Sequence, residues 1–218
     1  MDYFIELLFS GLSRAAIYAL IALGYTMVYG IIGLINFAHG EIYMIGAFTS
    51  FIIATILTIL GFPALAIIVL AGLAAVIWSA SYGFTIEKIA YKPLRHAPRL
   101  SALISAIGMS MFLQNYVLLA QTSDFLPFPQ LIPDFEFMEP IAHIVGSSDM
   151  IILVVTTLVM IGLTILIKYT KIGKAMRATS QDRTMAMLVG INVNRIISVT
   201  FIIGSSLAAI GGMLVASH

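Results

Sequence analysis

Cysteine is missing from this chain of 218 residues, which excludes a disulfide framework and a thiolate metal site. Charge is scarce as well. Asp, Glu, Lys and Arg together make up 10% of the residues, whereas an average soluble domain is about a quarter charged. Enzyme motifs are wanting too: no G-x-S-x-G elbow is present, and the Gly173-Lys174 dipeptide lacks both the preceding P-loop glycine and the following Ser or Thr. No ATPase site, metal site, cofactor or nucleic-acid partner of the chain's own is therefore expected. The first residues, Met1-Asp2-Tyr3-Phe4-Ile5-Glu6, offer neither a basic n-region nor a small-residue cleavage site, so no removable signal peptide is expected.

What fills the chain is apolar. Hydrophobic residues account for 61% and the mean hydropathy is +1.06, more apolar surface than a soluble fold of this size can cover. One bilayer crossing takes about 20 residues. The runs Ala15 to Ile35, Ile42 to Leu60, Ala64 to Ile86, Leu100 to Ala120, Met150 to Ile167 and Ile196 to Ala216 each meet that length to within a few residues. The expected fold is an all-α, polytopic membrane helical bundle of about six transmembrane helices, one domain over residues 1–218. Ahead of the first run, Asp2, Glu6, Ser10 and Arg14 recur every four residues among apolar neighbours. That pattern suits a helix lying at the interface or the first turns of a longer span.

Cations bias a connection toward the cytoplasm. Lys88, Lys92, Arg95 and Arg99 sit in one connection, and Lys168, Lys171, Lys174, Arg177, Arg183 and Arg195 in or beside another. The stretch from Gln121 to Asp149 holds five carboxylates and no Lys or Arg, so it is placed outside, and with it both termini. Its Pro127, Pro129, Pro133 and Pro140 alternate with phenylalanines, which suits an interfacial loop or a docking surface. Gly61-Phe62-Pro63 marks a tight turn. Ala71, Ala75, Ser79 and Gly83, and again Gly204, Ala208 and Gly212, repeat at every fourth position, a spacing that lets helices approach closely in lipid.

Two polar segments stand out. Asn36, His39 and Glu41 fall between the first two spans with almost no loop. Ionisable groups near membrane depth usually face the protein interior or a watery path. One reading makes Asn36 an N-cap, His39 a buried and satisfied histidine and Glu41 a carboxylate favoured by the helix dipole. The other makes the break part of a translocation path. The second segment, residues 170–190, carries Thr179 and Asp182 at capping-box spacing and Gly190 as a terminator, predicting a short helix from about Ser180 to Val189. Met185, Leu188 and Val189 form its apolar stripe, with Ala186 small beside them. A helix too short to span and too apolar for solvent lies on the membrane or enters a groove on another protein.

The run Gly24-Tyr-Thr-Met-Val-Tyr-Gly-Ile-Ile-Gly-Leu-Ile-Asn-Phe-Ala-His-Gly-Glu-Ile-Tyr-Met-Ile-Gly-Ala-Phe48 closely resembles the N-terminal signature of LivH-type permeases of branched-chain amino-acid ABC transporters. Lys92-Pro93-Leu94-Arg95, Leu103 to Gly108 and the segment from Gly173 to Arg195 are similar to that family too. The resemblance implies a permease subunit in a bacterial inner membrane, working with a LivM-like second permease, two ATP-binding subunits that hold ATP and Mg, and an extracytoplasmic substrate-binding protein. It implies that the Thr179 to Gly190 helix couples to an ATPase subunit, with Gly173, Arg177, Ala178, Asp182, Ala186 and Gly190 at the matching positions and Ala186 packed against the partner. Family members continue through further spans, so the chain is expected to be C-terminally truncated relative to them. A permease for urea or short amides, and an ATP-independent channel or secondary carrier, are the alternatives.

The absence of cysteine makes orientation directly testable. A single cysteine placed near Phe135 is expected to react with an impermeant thiol reagent from outside intact cells, and one near Thr179 only after the cells are opened. The reverse pattern inverts the assigned topology.

Overall fold

The computed structural model describes residues 2–95, 97–121, 126, 128–129 and 146–217. These residues form helices α1 (Asp2–Ile32), α2 (His39–Ile59), α3 (Ala64–Ile86), α4 (Arg99–Ala120), α5 (Ser147–Tyr169), α6 (Lys171–Gln181), α7 (Arg183–Leu188) and α8 (Val193–Ala216). A π-helical turn, Glu87–Tyr91, prolongs α3. No strand occurs among the described residues. Six of the helices, α1 to α5 and α8, are long and apolar enough to cross a bilayer. All six expected spans are present. The N-terminal amphipathic stretch is the start of α1, which runs unbroken for 31 residues, about 46 Å. Most of the proline- and phenylalanine-rich connection between α4 and α5 lies outside the described residues.

Helix ends follow the turn chemistry. Gly61 adopts φ +76°, the Phe62 N–H donates to the Leu57 carbonyl at 3.1 Å and the Gly61 N–H to the Thr58 carbonyl at 3.0 Å. That is the Schellman pattern, and Pro63 then opens α3. The cation-bearing connections, the C-terminal ends of α1, α3 and α5, and the N-terminal end of α8 gather at one end of the bundle, joined by the polar contacts described below. At the opposite end the Ser13 hydroxyl on α1 bonds the Asp149 carboxylate on α5.

Helix α8 is the axis. It packs against α1, α2 and α3 at once, and Phe201, Ala208 and Ala209 are fully buried in it. Helix α5 leans on α1 through Ile17, Leu20, Ile152 and Leu163, and α4 touches α2 and the π turn. Lipid tails are as apolar as leucine, so contact between helices must come from close packing. The two expected small-residue faces supply it: Ala71, Ala75, Ser79 and Gly83 on α3 and Gly204, Ala208 and Gly212 on α8 are all buried. A Cβ on Gly204 would lie 2.9 Å from Val28 and 3.1 Å from the Gly24 carbonyl oxygen. One on Gly46 would stand 2.6 Å from the Ala209 Cα. A Cβ on Gly212 would collide with the Tyr43 carbonyl oxygen and come within 2.9 Å of the Ala47 nitrogen.

Backbone cannot yield as a side chain can. Gly212→Val is therefore expected to destabilise the bundle by at least the 1–3 kcal/mol, roughly, of ordinary overpacking, read as a lower melting midpoint in detergent. Gly162→Val on α5, where a Cβ meets nothing within 4 Å, serves as the control and should melt like the parent. Equal midpoints for the two variants would contradict the close α2–α8 crossing.

Candidate functional site: the polar end of the bundle

The polar break follows directly on α1. The Gly33 N–H donates to the Tyr29 carbonyl at 2.7 Å, and φ of +67° at Gly33 turns the chain out of the helix. Asn36 is buried, but it does not cap α2. Ala38 occupies that position without a side-chain cap. The Tyr91 hydroxyl lies 3.1 Å from Asn36 Oδ1 and 3.2 Å from the Ile35 carbonyl oxygen, and can donate to either. Asn36 Nδ2 has no partner among the described residues.

His39, also buried, sets its Nε2 3.2 Å from the Ile21 carbonyl oxygen on α1. A carbonyl only accepts, so Nε2 carries the proton. The Tyr25 ring stands edge-on to the imidazole, with centroids 5.9 Å apart. Asn36 and His39 share a cleft of about 330 Å³ with Tyr18, Ile21, Tyr25 and Phe37. Glu41 lies elsewhere and accepts a 2.9 Å hydrogen bond from the Ser110 hydroxyl on α4. The three polar residues of the break thus separate: Asn36 and His39 border one cleft with α1, and Glu41 turns to α4.

The second segment departs from its expected form. It is two helices. Thr170 caps α6, its hydroxyl accepting from the Gly173 N–H at 3.0 Å. Thr179 is buried within α6 and donates to the Ala175 carbonyl, so it caps nothing. Asp182 is the N-cap of α7, with extended φ/ψ and a carboxylate that accepts from the N–H groups of Thr184 at 2.8 Å and Met185 at 3.1 Å. The expected Ser180-to-Val189 helix therefore begins three residues later. Asp is a strong N-cap in its own right, and its own carboxylate reaches two N–H groups of the first turn. The helix ends as expected: Gly190 has φ +84°, its N–H donates to the Met187 carbonyl, and the Ile191 N–H to that of Ala186.

The matching positions build the segment's shape. A Cβ on Gly173 would run into the carbonyl oxygens of Leu166 and Ile167, so glycine lets α6 fold back against the end of α5. Arg177, one turn further on, donates to the Ile167 carbonyl and, at 3.4 Å, to that of Lys168. Ala178 is half-buried. Ala186 corrects the sequence expectation. It is 3% exposed and lies in the apolar cluster that holds Ile31, Ile32, Met176 and Ile197, so its own chain already covers it. The stripe beside it is bare: Met185 is 61%, Leu188 76% and Val189 75% exposed.

A buried ion pair, not foreseen from the sequence, ties the C-terminal end of α3 to the N-terminal end of α8. Glu87 is fully buried in the π turn. Its Oε1 receives an Arg95 guanidinium N–H, its Oε2 a 2.8 Å hydrogen bond from the Ser198 hydroxyl on α8, and the Lys88 ammonium stands 4.0 Å away. Arg95 donates its other arm to Asn194 Oδ1. A lone carboxylate at the end of an apolar run is a signal in itself, but its partner on α8, Ser198, is 111 residues away. Arg183, opening α7, reaches the carbonyls of Ile31 and Ile32 at the end of α1. Burial, with Arg95 nearby, holds its guanidinium below the usual arginine range. Arg95, Arg183, Met187, Asn192, Asn194 and Ile197 line a cleft of about 550 Å³.

Removing one partner of a buried pair leaves an uncompensated charge, at a cost of about 3–5 kcal/mol. Arg95→Ala is expected to lower the detergent melting midpoint accordingly, and adding Glu87→Gln should recover most of the loss. Additive losses in the double variant would deny that the two side chains interact.

The comparisons with known proteins agree with this architecture. The family model described as the branched-chain amino acid transport system permease component matches residues 7–218. The high-affinity branched-chain amino acid transport system permease protein LivH of Salmonella typhimurium is 47% identical over 223 residues. Its Escherichia coli counterpart is 46% identical over 216 residues. The corresponding permease protein BraD of Pseudomonas aeruginosa is 48% identical over 216 residues. In each case the match covers 97% of this chain and 70% of the relative. No solved structure matches the chain at a significant level. With a family model spanning nearly its whole length, the chain belongs to the branched-chain amino acid transport permease family.

Proposed function

We propose that this chain is a membrane permease subunit of an ABC importer for branched-chain amino acids, moved by ATPase subunits that dock on α7. The relatives' names supply the substrate class, and none of the three points to urea, short amides or an ATP-independent channel. The observation that carries the docking assignment is the bare face of Met185, Leu188 and Val189 on a helix whose other side is seated by Ala186. Contiguous exposed apolar surface rimmed by polar groups marks an interaction site. Asp182 on one side and Gly190 on the other fix the helix ends, so the face is presented on a short rigid rod.

The rest of the assembly follows from the chemistry this chain lacks. It performs no covalent step, so ATP and Mg belong to two partner ATPases, and an extracytoplasmic protein delivers the substrate. A second permease completes the path, which on this side includes the cleft of Asn36 and His39. Alternating access then moves semi-rigid helices about a central site. The N-terminus lies outside, and α6, α7 and the ion pair face the cytoplasm of a bacterial cell whose inner membrane the chain spans.

Leu188→Glu tests the docking face. The position is open to solvent in the chain itself, so insertion and melting should match the parent. Recovery of the ATPase subunits with the purified permease should fall about thirtyfold, the size of a hot-spot loss of about 2 kcal/mol. Undiminished recovery would remove α7 from the interface.

A further inference from the structure

We infer that Arg183 is the positioning residue that carries movement of α7 into α1, and through α1 into the polar break at residues 33–38. The inference rests on the docking of α7 proposed above and names the route by which that docking reaches the membrane. The last four carbonyls of a helix have no partner within it. Arg183 Nη2 supplies one to the end of α1, donating to the Ile31 carbonyl at 2.8 Å and to that of Ile32. The cap comes from a segment 151 residues away in sequence. Charge-assisted hydrogen bonds of this kind are about twice as strong as neutral ones.

The inward side of α7 is buried in the apolar cluster that also takes in this turn of α1. Ala186 sits in the buried cluster with Ile31 and Ile32. Ala186 is three residues beyond Arg183, so both face the bundle while Met185, Leu188 and Val189 face away. An apolar contact alone permits sliding, whereas a guanidinium held by two carbonyls resists it. A displacement of the outer face therefore reaches the C-terminal turn of α1 as a displacement.

Beyond that turn the chain is short and held. Gly33 leaves the helix at once, the Tyr91 hydroxyl holds either the Ile35 carbonyl or Asn36 Oδ1, and His39 returns to α1 at the Ile21 carbonyl. The break is thus strung between the Arg183 cap and the Tyr91 hydroxyl. It also borders the cleft of Asn36 and His39, so a shift at its entrance changes that cleft.

The test uses the assembled importer in liposomes, with labelled leucine as the probe. Arg183→Gln is expected to keep its ATPase subunits while uptake per ATP hydrolysed falls about tenfold, within the range by which coupling residues act. Arg183→Lys, which keeps the charge and a donor, should recover part of it. Unchanged uptake per ATP, or loss of the ATPase subunits in Arg183→Gln, overturns the assignment. If the docking reading is what fails, Leu188→Glu will retain the subunits as well. A second measurement leaves Arg183 in place: spin labels on Tyr29→Cys and Met187→Cys, both exposed positions, should hold their separation to within about 2 Å, the scale of interface helix shifts, between nucleotide-free and ATP-bound states. A larger change with Arg183 intact means that α7 and α1 move apart, and refutes the link whether or not the glutamine variant assembles.

Discussion

Everything in this bundle depends on how closely α8 can approach its neighbours. Lipid provides no hydrophobic drive for one helix to leave it for another, so α1, α2 and α3 hold α8 by van der Waals contact at short range. Gly204 meets the Gly24 carbonyl, Gly46 meets the backbone of Ala209, and Gly212 meets the backbone of Tyr43 and Ala47. Contacts of that kind transmit displacement with little loss, because no flexible side chain lies between the moving parts. The semi-rigid reorientation proposed for this subunit needs such an axis, and α8 begins beside α6 and α7.

That segment uses its polar residues for shape and its apolar residues for contact. Thr170, Gly173 and Arg177 fold α6 back against the end of α5, Asp182 starts α7, and Gly190 stops it. None of these side chains belongs to the bare stripe of Met185, Leu188 and Val189. The family-matched positions therefore mark how the rod is built, and the surface it offers lies between them. Ala186 shows the distinction: its smallness serves a fit inside the chain, in the buried cluster that includes Ile31 and Ile32.

The sequence made the spans, the tight turn at Gly61 and the small-residue faces of α3 and α8 legible, because each rests on local composition or on helical spacing. The caps were less so. Thr179 and Asp182 both suit an N-cap, and spacing alone does not say which one bonds free N–H groups. The answer depends on α6 running on through Thr179, which in turn depends on its fold back against α5. The polar network of Glu87, Arg95, Asn194 and Ser198 was not legible, since its members lie up to 111 residues apart and meet only once α3 and α8 have packed. Ala186 was misread because a short amphipathic helix has two neighbours to choose between, and sequence supplies no sign of which one a small residue faces.

One set of cations answers two physical demands at this end of the bundle. Helices α1 and α5 both end here, each leaving carbonyls without partners, and the end of a helix carries partial negative charge. Arg183 closes the first and Arg177 the second. The cations gathered in these connections thus include the ones that satisfy the helix ends meeting there. Arg95 is committed in the same way, to Glu87 and Asn194. With Arg177 and Arg183 engaged internally, the segment leaves bare the apolar face of Met185, Leu188 and Val189. A face of that kind offers packing rather than charge for contact, and packing acts only at short range.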